Sequence, residues 1–246
     1  MQGLTSLQVE NMETLSKNND CKYCGGVGFV HPIINGKVQY DRTVLCTCQK
    51  EEAERNKKES LFRLCAFPPK TETMTFKEFK PYKAVATALK IAKNIASNPG
   101  KLVWLTLLGQ NGVGKTHLAV AICKAWVAAG IPTRYVYVPT LLDELKEGFG
   151  RIDDKSYNKR FKSFCNVPLL LLDDLGQEYQ TAWVQEKLNT LVDYRLMNKL
   201  SLIITCNKSL DELSPSIASR LSRLHESYVV NIDAEDYLLN KVEELK

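Results

Sequence analysis

"LVWLTLLGQNGVGKTHLAV", residues 102–120, runs an apolar segment into a glycine-rich turn and on into a helix-forming stretch. Leu102 to Leu108 reads as a buried strand, because a short continuous apolar run closed by glycine suits a parallel sheet. The turn Gly109-Gln110-Asn111-Gly112-Val113-Gly114-Lys115-Thr116 has the spacing G-x-x-x-x-G-K-[ST], in the strand–loop–helix setting that this spacing requires. Its glycines let backbone amides converge on a phosphate at the helix N-terminus. Lys115 is expected to neutralise β- and γ-phosphate charge, and Thr116 to lend its hydroxyl to Mg2+. The loop from Gly109 to Thr116, with His117 after it, is the expected seat of ATP and Mg2+.

A second stretch, "PLLLLDDLG" (168–176), drives four leucines inward and stops on two adjacent carboxylates. An unpaired carboxylate resists leaving water, so the pair needs a cation or a reaction to serve. A strand of this kind in P-loop proteins ends beside the phosphate loop. Asp173 is then placed to hold the Mg2+ shell, and Asp174 to orient or deprotonate the attacking water. Further apolar runs at 133–139, 200–207 and 228–232 alternate with helical patterns, among them 181–199 with Trp183, Leu188, Leu191 and Val192 inward. Five strands with intervening helices predict an α/β fold with a parallel sheet. Asn207 ends one strand, where its amide would either reach the water or the γ-phosphate or simply form the turn before Lys208. Arg220, in "SIASRLSRL", is either a surface ion pair or an arginine finger reaching a neighbour's nucleotide.

A chain of 246 residues, 44% hydrophobic and 25% charged, suits one medium domain plus a small appendage. No stretch approaches the length of a membrane span, and the polar opening is not that of a signal peptide, so a cytoplasmic address is expected. The net charge of +5 is unevenly spread: residues 81–166 carry 13 Lys/Arg against 5 Asp/Glu, while residues 167–246 carry 8 against 13. Such a basic middle segment is either scatter over solvated helices or a face for a polyanion.

Four of the eight cysteines, Cys21, Cys24, Cys46 and Cys48, cluster within 28 residues. Two short strands around the turn "NGK" would bring the C-x-C pair back beside the C-x-x-C pair. Four soft thiolates suit tetrahedral Zn2+, which would supply much of the folding free energy of so small a segment. His31 is the alternative fourth ligand. Residues 1–50 are read as this zinc module, 51–70 as a linker helix ending at "FPPK", and 71–246 as the nucleotide-binding domain.

Together these residues resemble the AAA+ ATPases of the DnaC/DnaI helicase-loader and IstB branch. "TFKEF", "GQNGVGKTHLAVAI", "LLLLDDLGQEYQTAWVQEKLNTLVDYRLMNKL", "LIITCN" and "IASRL" carry the likeness over roughly residues 72–237. The cysteine module looks like that of DnaI-type and phage loaders. The resemblance implies a P-loop AAA+ core, an ATPase, with Asn207 as sensor 1 and Arg220 as a finger acting in trans within a ring or spiral. It also implies Phe76 and Phe79 near the adenine end, a replicative hexameric helicase as partner, and single-stranded DNA as ligand. Two departures are Leu238 where relatives often carry a sensor-2 arginine, and a C-terminal part too short for a full helical lid. Slow or partner-dependent hydrolysis would follow.

The segment "KEGFGRIDDKSYNKRFK" (146–162) interleaves cations with aromatics, a pattern suited to a single strand's backbone and bases. Lys155, Tyr157, Lys159, Arg160 and Lys162 are its candidate DNA contacts; the alternative is a solvated helix with Phe149, Tyr157 and Phe161 in the core. Three functions compete: an ATP-dependent helicase loader, an IstB-type transposition helper, and an ATP-switched adaptor with little hydrolysis.

Overall fold

The computed structural model describes residues 21–141, 161–176, 182–223 and 227–234. The chain divides into two compact units, parting between Ser60 and Leu61.

In the first unit, β1 (Phe29–Val30) pairs antiparallel with β4 (Val44–Leu45), and β2 (Ile33–Ile34) with β3 (Lys37–Val38). The two strands expected around "NGK" are therefore each broken in two. Asn35 and Gly36 close the inner pair with φ of 53° and 77°, the left-handed backbone that a two-residue hairpin turn demands. Helix α1 (Thr47–Leu64) begins four residues before the linker helix expected at 51–70, and so takes in Cys48.

The second unit is built on a five-stranded parallel sheet: β5 (Trp104–Gly109), β6 (Thr133–Tyr137), β7 (Leu169–Leu175), β8 (Ser201–Cys206) and β9 (Ser227–Ile232), in the order β6-β7-β8-β5-β9. The four leucines of β7 explain the sandwich. Successive side chains on a strand point to opposite faces. Leu169 and Leu171 join Leu105, Leu107 and Ile203 under α2 (Ala86–Ser97) and α3 (Lys115–Ala128). Leu170 and Leu172 join Trp104, Leu202 and Ile204 under α4 (Ala182–Met197) and α5 (Pro215–Leu221). A strand buried on both faces has no polar alternation to show, which is why the run is unbroken. Leu188, Leu191 and Val192 of α4 are buried as expected, and Trp183 packs partly buried against the same core.

One charged group lies at the centre of this layer. Arg195 of α4 is fully buried, and its guanidinium donates to the carbonyls of Phe164, Cys165, Val167, Pro168 and Ser201. It ties the approach to β7 and the start of β8 to one helix. Burial pulls its pKa down to about 9, which leaves it protonated at neutral pH.

Candidate nucleotide site and cysteine cluster

The strand order sets β7 between β6 and β8, so the carboxylates at its end are flanked by Tyr135 and Tyr137 on one side and Thr205 and Asn207 on the other. The register of β7 against β8 slips between Leu172 and Leu175, and Asp174 takes a left-handed φ of 65°. That irregularity separates the fates of two adjacent acids. Asp173, only 2% exposed, accepts from Thr116 and Thr205 on Oδ1 and from Tyr135 on Oδ2, each at 2.7 Å. Asp174 is less buried; it accepts from Asn207 at 2.5 Å and from Tyr137 at 3.4 Å, while its backbone N–H donates to Thr205 at 2.9 Å. Burial, then the charge of Asp173, raises the pKa of Asp174 above the ordinary carboxylate range. A raised proton affinity brings a carboxylate nearer to what a general base needs at neutral pH.

The glycine loop crosses in front of these acids. Gly109, Gly112 and Gly114 all have positive φ. Any Cβ on Gly114 would stand 2.9 Å from the Phe79 ring, and one on Gly109 would stand 2.5 Å from the Ile232 carbonyl oxygen. Lys115 opens α3 with its ammonium donating to the carbonyls of Gly109 and Gln110 at 2.7 and 2.6 Å. Burial lowers its pKa, with the charge of Asp174 the leading opposing influence. A neutral-carbonyl cradle leaves that positive charge available to an anion.

Loop and acids line one cavity of about 470 Å³. Of the residues expected there, Asn111, Gly112, Val113, Gly114, Lys115, Thr116, His117, Asp173, Asp174 and Asn207 line it; Gly109 and Gln110 form its back through the Lys115 bonds. Phe79 lines it and meets His117 edge to face, with ring centroids 5.0 Å apart. Phe76 instead packs partly buried against the core behind. Tyr82 and Lys70 also line the cavity, and Tyr82 fixes the loop by donating to the Val113 carbonyl at 2.8 Å. Neither was expected, and nor were Tyr135, Tyr137 and Thr205. The tyrosines of "TRYVYV" show their role only once β6 is known to lie beside β7.

Arg220 is 24% exposed and forms a two-pronged ion pair with Asp193 of α4. Lys162 is exposed, whereas Phe161 packs against the core, the outcome its alternative reading expected. Lys155, Tyr157, Lys159, Arg160 and Leu238 lie outside the described residues.

The second site is the cysteine cluster. The sulfurs of Cys21, Cys24, Cys46 and Cys48 all lie within 4.8 Å of one another, with 3.8 Å between Cys21 and Cys46 and 3.5 Å between Cys24 and Cys48. Four thiolates at about 2.3 Å around a tetrahedral ion would stand about 3.8 Å apart, close to the two shortest pairs here, so the donor set and its spacing suit Zn2+. Hydrogen bonds from the Cys24 and Tyr23 amides hold the Cys21 thiol down at about 6, while burial pushes Cys46 and Cys48 up. Four crowded thiols of this kind surrender their protons together only to a cation. His31 is not of the group: its Nδ1–H donates to the Arg42 carbonyl at 2.9 Å.

A parallel sheet in this order, a phosphate loop opening α3 and paired acids at the end of the neighbouring strand define a P-loop core of the AAA+ kind. Known proteins agree. The family described as IstB-like ATP binding protein matches over residues 34–244. The replicative helicase loader DnaI of Bacillus subtilis is 25% identical over 219 residues, covering 82% of this chain and 68% of its own. The replicative helicase loader DnaC of Escherichia coli is 25% identical over 122 residues, about half of each chain. A crystal structure of a DnaC helicase loader superposes with a TM-score of 0.61 at 28% identity, covering 68% of this chain and 100% of that one. The chain belongs to the IstB-like ATP-binding proteins, within the DnaC/DnaI/IstB branch of AAA+ ATPases. Among the described residues no helix is long and apolar enough to cross a membrane.

Proposed function

We propose that this protein is an ATP-dependent helicase loader that binds single-stranded DNA and delivers a replicative hexameric helicase. The observation that carries the reading is one chain of this family holding both the cavity around Lys115 and Asp173 and an N-terminal four-cysteine cluster. In the cavity the loop amides and Lys115 hold the phosphates, while Thr116 and Asp173 would hold Mg2+, whose charge would offset that of the phosphates. Asp174, steadied by Asn207 and Tyr137, takes the proton of the attacking water. Arg220 completes the site of an adjoining copy, so hydrolysis belongs to a ring or spiral. Cys21, Cys24, Cys46 and Cys48 would hold Zn2+, and through it keep the first unit in the shape that grips the helicase. Segment 146–162, through Lys155, Tyr157, Lys159, Arg160 and Lys162, carries the DNA.

Retention of a cognate hexameric helicase, with and without residues 1–66, tests this reading. The full chain should capture the helicase in the presence of ATP, and the shortened one should not. Failure of the full chain to capture it would remove the loader reading. The family match itself favours one other reading, a transposition helper of the IstB kind. That protein would retain a transposase and duplex DNA in the same assay.

A further inference from the structure

Outside the nucleotide cavity, a fully directed polar contact joins α4 to α5. Nε and Nη2 of Arg220 donate to the two carboxylate oxygens of Asp193, the latter at 2.8 Å, and Nη1 donates to the Ser216 carbonyl at 2.7 Å. A guanidinium presents its N–H donors in one rigid plane. With three engaged, one donor on Nη1 and one on Nη2 remain. Asp193 is held below the ordinary carboxylate range, first by its hydrogen bond with Arg220, so it stays an anion at neutral pH.

We propose that Asp193 is a positioning residue: it clamps the Nε–Nη2 side of Arg220 so that the remaining Nη1 and Nη2 donors are presented as a fork to a phosphate held by an adjoining copy of this chain. The inference rests on the reading of Arg220 as acting in trans. An unclamped arginine would have to settle among many rotamers before meeting the phosphate, and misplacement by about 1 Å can cost about 100-fold in rate. An aspartate at 193 thus acts on the neighbour's reaction without touching the neighbour's nucleotide.

The test uses the full chain under assembling conditions with ATP and Mg2+. Asp193→Ala should lower kcat by about 10- to 100-fold, with ATP affinity and melting temperature nearly unchanged. Asp193→Asn, which keeps one acceptor, should fall between it and the parent and serves as the readout if the alanine protein misfolds. In an Arg220→Ala background, Asp193→Ala should cost nothing further. Mixing Asp193→Ala with Lys115→Ala chains should restore part of the activity, because one mixed interface then holds an intact Lys115 site facing a clamped Arg220. Full activity in both aspartate variants beside an inactive Arg220→Ala overturns the positioning role alone. An additive loss in the double variant overturns it too, as does a lack of recovery in mixed assemblies shown to co-assemble. Full activity in Arg220→Ala overturns the trans reading and the inference with it.

Discussion

At the scale of single residues, Asp174 shows how the site holds a charge that the fold itself does not favour. Its raised pKa means that the folded protein binds this proton more tightly than the unfolded chain does. Between the ordinary carboxylate value and the raised one, stability therefore falls as pH rises, and at neutral pH the ionised group is a net cost. Asparagine tolerates the left-handed backbone at 174 and can still accept from Asn207. Asp174→Asn should slow hydrolysis by about 100-fold while ATP still binds. The same variant should melt above the parent without nucleotide, the usual trade between activity and stability. That gap should close as the pH is lowered and the parent's own carboxylate protonates; calorimetry from about pH 7 to about pH 4 reads it. A gap independent of pH would show that charge is not its source. The pair Asp173–Asp174 stood out in the sequence because carboxylates seldom end an apolar strand. Their hydroxyl partners did not, since Tyr135 and Thr205 look like ordinary strand residues until the sheet order sets them beside β7.

Elements carry their own constraints, and glycine marks where two of them meet. At Gly109 the end of β5 lies against Ile232 of β9, and the backbone has φ 138°. Gly109→Ala should therefore destabilise the fold by about 1–3 kcal/mol, seen as a lower denaturant midpoint. Gly114→Ala carries backbone strain too, at φ 93°, but its Cβ meets the Phe79 ring, which borders the nucleotide cavity, so its damage should reach ATP affinity as well as stability. Equal losses in both measurements for the two variants would contradict this division. The β5–loop–α3 unit was legible because its motif has a fixed spacing and setting. Arg195 was not: in "LVDYRLMNKL" it reads as a polar-face residue, yet its helix buries it among carbonyls that no local pattern announces. Arg195→Met leaves those carbonyls without their donor and should cost about 3–5 kcal/mol, the scale of breaking a buried charged contact. A thermal melt unchanged from the parent would show that water serves those carbonyls as well.

At the scale of the whole molecule, each of the two units has its own source of stability. The P-loop unit has an extensive apolar core on both faces of its sheet. Among its described residues the first unit has a buried cluster of Val30, Cys24 and Cys46, with Val44 and the other two cysteines packed against it, which by itself is too little to offset the entropy of ordering that stretch of chain. Metal analysis should find about one zinc per chain, lost on Cys21→Ser or Cys24→Ser but retained on His31→Ala. Chelation should expose the first unit to protease while the P-loop unit still binds ATP. A protease-resistant first unit without metal would defeat the zinc assignment. Part of this was legible: the four cysteines and the "NGK" turn fix which ends must meet. The division of the hairpin into two short ladders was not, because two-residue strands carry no periodicity to read.

Cys48 lies in the first turn of α1, and the only buried side chain of that 18-residue helix is Leu61, near its far end. A highly charged helix with so little apolar contact is marginal in water, and what starts it matters more than what covers it. Ligation of Cys48 would supply that nucleus. Metal occupancy then becomes visible without any metal assay, as far-ultraviolet ellipticity: titrating zinc into stripped protein should raise the helical signal in proportion to the ion bound.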